Sequence, residues 1–157
     1  MSEYFMPSSF RVVNNKHRSF FLPFFISNNI NAWLDNFFSR TLSFSAKPIL
    51  IESNLSDCEL QNASLYGAKL KDTNLSNSNL KEVTLDSAVL DGTDLSNTNL
   101  EDSFAYSTQF ENVKIQGADF TNVFLPKDIV RKFCESASGT NPFTNRDTRE
   151  TLECDYI

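Results

Sequence analysis

The amino-acid sequence predicts an all-β solenoid in which a short extended segment and a corner recur every five residues. Three observations carry this. A large aliphatic or aromatic side chain returns at every fifth position from Leu50 to Leu100, and the row resumes with Phe110, Ile115, Phe120 and Leu125, broken only at Ala105. Two residues before each of these stands a side chain that is nearly always small, as in Ser53, Cys58, Ala63, Ala68, Thr73 and Ser78. The two residues after it are rich in turn formers, as in Ser76-Asn77, Asp91-Gly92 and Ser96-Asn97. A step of five fits neither the helical period nor the strand period, so the chain has to turn once per repeat.

Side chains two apart in an extended segment share a face, so the large and the small residue of each repeat point inward together. The residue between them points outward and is mostly polar: Asn54, Glu59, Ser64, Lys69, Asn74, Asn79, Thr84, Asp94, Asn99. A period this strict marks a solenoid, whose units bury their apolar faces only by stacking on one another.

The strings TNLSN at Thr73 to Asn77 and TDLSN at Thr93 to Asn97 resemble the A(D/N)Lxx motif of the pentapeptide-repeat family. The resemblance covers residues 48–126 and implies a right-handed quadrilateral β-helix with one repeat on each side. Four repeats then make a coil, and residues twenty apart stack into inward columns such as Leu55, Leu75, Leu95, Ile115 and Leu60, Leu80, Leu100, Phe120. At ~4.8 Å per coil, about four coils give a rod only ~20 Å long. Ala105 falls between Leu85 and Leu125 in its column, leaving either room for Phe104 or Phe110 or a small cavity. The change from leucine to Phe110 and Phe120 in the last coil suggests an aromatic end that meets the C-terminal segment, against the plainer reading of core drift.

A solenoid has two raw ends that expose apolar side chains and unpaired strand edges, and both need covers. Residues 1–47 form a basic, Phe-rich N-terminal segment. Within it, residues 28–42 carry Ile30, Trp33, Leu34, Phe37, Phe38 and Leu42 at helical spacing, behind Ser27 or Asn28 as N-cap. The expectation is a helix lying over the first coil. Residues 127–157 read as a C-terminal helical cap: Pro126 opens a helix whose apolar face is Ile129, Val130, Phe133 and Cys134, and Gly139 is placed to end it. Asp147 with Glu150 three residues later marks the start of a last short helix reaching Cys154.

The stretch from Pro126 to Cys154 also resembles the tail of the thylakoid-lumen branch of the family in cyanobacteria and plastids. The shared pieces are Pro126-Lys127, Cys134, Asn141-Pro142, Thr148-Arg149, Leu152 and Cys154. That resemblance implies a disulfide between Cys134 and Cys154, closing a loop of about twenty residues and stabilising by on the order of 3 kcal/mol. A disulfide in turn implies an oxidising compartment. The chain departs from the branch at Glu153, where glycine is expected. Cys58 occupies a small inward position and reads as a buried, inert thiol.

The net charge of -6 is unevenly spread. Residues 1–47 carry five basic side chains against Glu3 and Asp35, whereas the repeats carry twelve carboxylates against Lys69, Lys71, Lys81 and Lys114, a net of -8. Arg11, Lys16 and Arg18 ahead of the apolar run Phe20 to Ile26, with Ser43-Phe44-Ser45 behind it, look like an export signal and its cleavage pattern. The alternative is that the segment stays, packing under the cap or making peripheral contact with a membrane. The expected location is the thylakoid lumen, with the cytoplasm as the alternative. No apolar run reaches the length of about 18 residues that a spanning helix needs.

Nothing in the sequence assembles chemistry. His17 is the single histidine and lies in the basic segment, so no Ser/His or Cys/His constellation forms. Glu101-Asp102 and Asp91 with Asp94 fall at corner or outward positions, where solvent keeps carboxylates ordinary. Asp and Asn rows lack calcium-loop spacing, and the four glycines make no phosphate cradle, so neither metal nor cofactor is expected. The sequence therefore reads as a non-enzymatic interaction protein, binding an unidentified protein partner and no nucleic acid. The alternative, from the quinolone-resistance branch, is an acidic rod that mimics DNA for an enzyme such as gyrase. Duplex DNA carries a charge every ~1.7 Å, a density that about eight net charges over ~20 Å do not reach.

The inward and outward assignments separate cleanly by mutation. Leu75→Asp places an unpaired charge in a close-packed column and should cost several kcal/mol, enough to unfold the rod, whereas Asn74→Asp should be nearly silent. Chemical denaturation of both variants measures this, and equal effects would refute the assignment.

Overall fold

The computed structural model describes residues 47–157; the expected helix at 28–42, with Ile30, Trp33, Leu34, Phe37 and Phe38, lies outside the described residues. From Ile49 onward the chain winds as a four-sided β-helix. Each side contributes one outward residue that bridges, in parallel, to the residue twenty positions on: Asn54 to Asn74 to Asp94 to Lys114 on one side, Ser64 to Thr84 to Phe104 to Phe124 on another. Successive bridged residues along the chain are five apart, so four sides close a coil. A corner follows so soon that, among the described residues, only one pairing extends into strands proper, β1 (Val89–Asp91) on β2 (Gln109–Glu111), with Leu90 paired to Phe110.

The repeat's residue types follow from these bonds. Where another coil follows, the N–H of an inner leucine donates to the carbonyl of an outward residue in that coil, as in Leu55 to Asn74 at 2.7 Å and Leu75 to Asp94 at 2.9 Å. The reverse bond runs from Asn74 N–H to Ser53 O at 2.9 Å. At the corners, Ser53 N–H folds back to Leu50 O at 3.2 Å, closing a four-residue turn. The second corner residue is left-handed from Glu52 to Asn122, with Ser107 the one exception; this conformation favours Asn, Asp and Gly, the residues found at Asn62, Asp72, Asn77, Gly92 and Asn97.

Inside, the columns Leu55, Leu75, Leu95, Ile115 and Leu60, Leu80, Leu100, Phe120 are all 3 % exposed or less. The small inner position does more than leave room. Thr73, Thr93 and Ser78 donate their hydroxyls at 2.6 Å to the carbonyls of Leu50, Leu70 and Leu55 in the coil before. A hydroxyl buried without such a bond would cost about 1–3 kcal/mol. Ala105 is buried, but Phe104 does not fill the space beside it: its ring turns outward and is 54 % exposed.

The C-terminal segment packs on the last coil. Helix α1 (Lys127–Cys134) buries Phe133, whose ring lies 5.1 Å from that of Phe110 and 5.5 Å from that of Phe120. The two inward phenylalanines of the last coil thus meet a third. The helix stops at Cys134, short of Gly139. Gly139 serves a different purpose: it sits at φ +84° against Gly117, where an added Cβ would come within 3.2 Å of the Gly117 nitrogen. Asp147 caps α2 (Thr148–Thr151) through a bond from Arg149 N–H at 2.9 Å, and a 3-10 turn at Cys154–Tyr156 follows.

Candidate docking surfaces and the C-terminal fastening

Because the inward columns of the coil are buried, the repeat side chains available to a partner stand on the outer rows or at the corners. The Asn and Asp rows are largely occupied with their own backbone. Asn54, Asn74, Asp94 and Asn99 each accept the N–H two residues on, at 3.0–3.1 Å, which satisfies the first corner amide. Across coils, lysines pair with the acidic rows: Lys71 with Asp91 at 3.4 Å, Lys81 with Glu101 at 2.9 Å and Lys114 with Asp94 at 3.1 Å. Exposed pairs of this kind contribute about 0–1 kcal/mol each.

One side differs. Phe104 and Phe124 are bridged neighbours in successive coils, and the ring of Tyr106, at the adjoining corner, lies 5.0 Å from that of Phe124. All three are more than half exposed, so together they make an aromatic ledge; Tyr66 on the repeats and Phe143, Tyr156 and Ile157 on the tail are also exposed, but no ring contact joins them to it. The corner beneath it is also irregular: the Asp86 carboxylate accepts the N–H groups of Tyr106 and Ser107, at 2.8 and 3.4 Å.

The C-terminal segment is fastened by buried polar groups. Asn141 is fully buried and donates to Thr98 O at 3.2 Å and Gly117 O at 2.9 Å, while its own oxygen accepts from Phe143 and Thr144 N–H. Arg146 reaches Glu101 at 2.9 Å and the fully buried Asp119 at 3.2 Å. Hydrogen bonds from Lys81 and then Arg146 outweigh burial and hold the Glu101 carboxyl below its ordinary value. For Asp94, burial pushes the carboxyl up, but bonds from Ser96 and Lys114 outweigh it and the net shift is downward. Cys134 and Cys154 form a disulfide, Cα atoms 5.6 Å apart, which ties the end of α1 to the 3-10 turn. An open cleft lies beside it, between Phe120 and Leu125 of the last coil and Tyr156 and Ile157 of the tail. Cys58 is buried, its thiol 3.6 Å from Ser56 O. Among the described residues no cluster of His, Cys, Asp and Glu is arranged to hold a metal, and no helix is long and apolar enough to cross a membrane.

A family model described as Pentapeptide repeats matches in eight copies, over residues 48–77, 63–102 and 88–125. The crystal structure of a pentapeptide repeat protein from the Arabidopsis thaliana thylakoid lumen is 35% identical, with a TM-score of 0.67 over 69% of this chain and 75% of that one. This chain is a pentapeptide-repeat protein. The family and that match imply a right-handed β-helix solenoid. The chloroplastic thylakoid lumenal protein TL20.3 of Arabidopsis thaliana is 46% identical over 43 residues, which are 26% of this chain and 15% of that protein's length. Both relatives are lumenal, and they support a thylakoid-lumen location for this pentapeptide-repeat chain. QnrB1, a plasmid-mediated fluoroquinolone resistance protein, is 17% identical with a TM-score of 0.31 over 57% of this chain and 61% of that one, a likeness that bears on nothing further.

The ledge was hidden in the sequence because the space beside Ala105 offered Phe104 a place inside, as one alternative to Phe110 or a small cavity. A signal was present, since Phe104 and Phe124 occupy the outward position of their repeats. Arg146 and Asp119 gave none, because their meeting depends on how the tail folds back.

Glu101 sets the acid limit of this fastening. Its depressed carboxyl contributes stability that is complete above the ordinary value of 4.5 and is lost as pH falls through the lower folded-state value. Thermal melts from neutral pH into acid should therefore fall off below that range, and Glu101→Gln should lower the neutral melting temperature and flatten the acid limb. Parallel curves for the two proteins would contradict the role given to Glu101.

Proposed function

We propose that this chain is a non-enzymatic interaction protein of the thylakoid lumen, a rigid post that holds one side against a protein partner. The observation that carries this is the aromatic ledge: Phe104, Tyr106 and Phe124 stand more than half exposed on a backbone fixed by coil-to-coil hydrogen bonds. Contiguous exposed apolar surface on a folded domain marks an interaction site more often than chance. In this reading residues 48–126 form the post and residues 127–157 its cap, with the disulfide suited to an oxidising compartment. DNA mimicry is less well supported, because Lys71, Lys81 and Lys114 interrupt the acidic rows that such a mimic needs to keep continuous.

The native protein tests the reading. Recovered from a lumenal fraction after cross-linking in intact thylakoids, it should run in a complex with another protein. Alkylation before reduction should leave Cys134 and Cys154 unmodified. Recovery outside the lumen with both cysteines alkylated, or migration as an isolated chain, would overturn it.

A further inference from the structure

The geometry points to the chemistry of the partner: the ledge takes a basic segment of another protein, one that lays arginine or lysine and apolar side chains across Phe104, Tyr106 and Phe124. The inference rests on the interaction reading above and adds a surface and a class of ligand to it. Three features favour this side over the others. It carries bridged aromatic residues where the other columns carry mostly polar ones, and within its own column the two earlier coils present Ser64 and Thr84. The repeat also inverts here, with Ala105 inside and aromatic residues outside, and Ala105 is buried while its neighbours on both sides are exposed. Finally, the corner beneath Tyr106 departs from the rest, since Ser107 lacks the left-handed conformation of every other second corner residue from Glu52 to Asn122, and Asp86 holds the turn instead.

Charge selects the ligand. Carboxylates border the ledge on both edges: Asp86 in the corner row below Tyr106, and Glu82 and Asp102 in the corner row on the far side. Lys81 approaches Asp102 at 3.7 Å but is engaged with Glu101 at 2.9 Å, and Lys127 lies at the C-terminal end of the side. Aromatic faces attract guanidinium and ammonium groups, and flanking carboxylates strengthen that attraction. The same carboxylates repel nucleic-acid phosphates and anionic lipid headgroups. They also disfavour a second copy of this chain, which would bring together two repeat regions of net -8, twelve carboxylates less four lysines in each.

The test uses the full chain and a double variant, Phe104→Thr with Phe124→Ser, residue types that the same column already accommodates at Thr84 and Ser64. The probe is a heptapeptide of alternating arginine and tryptophan, set against a glutamate and tryptophan counterpart, anionic phospholipid vesicles and oligothymidylate. Calorimetric titration should show binding of the basic peptide, weakened at least tenfold by the double variant and severalfold by Glu82→Gln, with unchanged thermal melts. Equal binding of the acidic peptide, insensitivity to the double variant, preference for vesicles or oligothymidylate, or a dimer that the double variant abolishes would each overturn the inference. Lumenal extract passed over both proteins separates the two levels. A lumenal protein held equally by wild type and variant removes the ledge and leaves the interaction reading standing. No lumenal protein held by wild type removes the interaction reading, and the assignment of a natural partner to the ledge falls with it.

Discussion

Each coil of this protein is four short sides around a space just wide enough for one large and one small side chain from each side, and stacking those filled rings is what the remainder depends on. The inner leucines from Leu50 to Leu100 are essentially inaccessible to water, and amides such as those of Leu55, Leu75 and Leu95 pair with carbonyls of the next coil at close to ideal distances. Apolar burial and backbone pairing therefore act along one axis, so no coil is stable without its neighbours. The inner hydroxyls of Thr73, Ser78 and Thr93 extend the same coupling, since each reaches the coil before its own.

A stack needs an end, and the described end is closed by specific contacts from the tail. Phe133 lies against the rings of Phe110 and Phe120, Asn141 takes the carbonyls of Thr98 and Gly117, and Gly117 N–H donates to Ser138 O at 2.8 Å. The disulfide holds the far part of this segment in place by shrinking its unfolded ensemble. Glu153, where the resemblance led to an expectation of glycine, sits at φ 55°, left-handed, where a side chain costs about 1–2 kcal/mol.

How much of this was legible varied with the range of the interaction. The five-residue row dictated which side chains enter the core, because inward and outward follow from local alternation. The small inner residues were legible as small, yet their role as hydroxyl donors emerges only when coils are stacked. The tail's helices were marked by Pro126 and Asp147, but α1 stops at Cys134 and Gly139 is spent on close approach to Gly117, a contact between segments far apart in sequence. Phe104 misled, because a ring beside a missing leucine suggests repacking, while a side chain at the outward position of a short strand cannot turn in without breaking its bridge. The aromatic ledge is thus set where the repeat departs from its own rule.

Native-state hydrogen exchange tests the stacked core most directly, by comparing adjacent amides. Leu75 N–H is locked to Asp94 of the next coil, whereas Ser76 N–H is held only by the Asn74 side chain at 3.0 Å. If coil stacking carries the stability, Leu75, Leu80 and Leu90 should exchange only through global unfolding, slower than Ser76 by on the order of a thousandfold or more. Comparable rates at Leu75 and Ser76 would contradict the account.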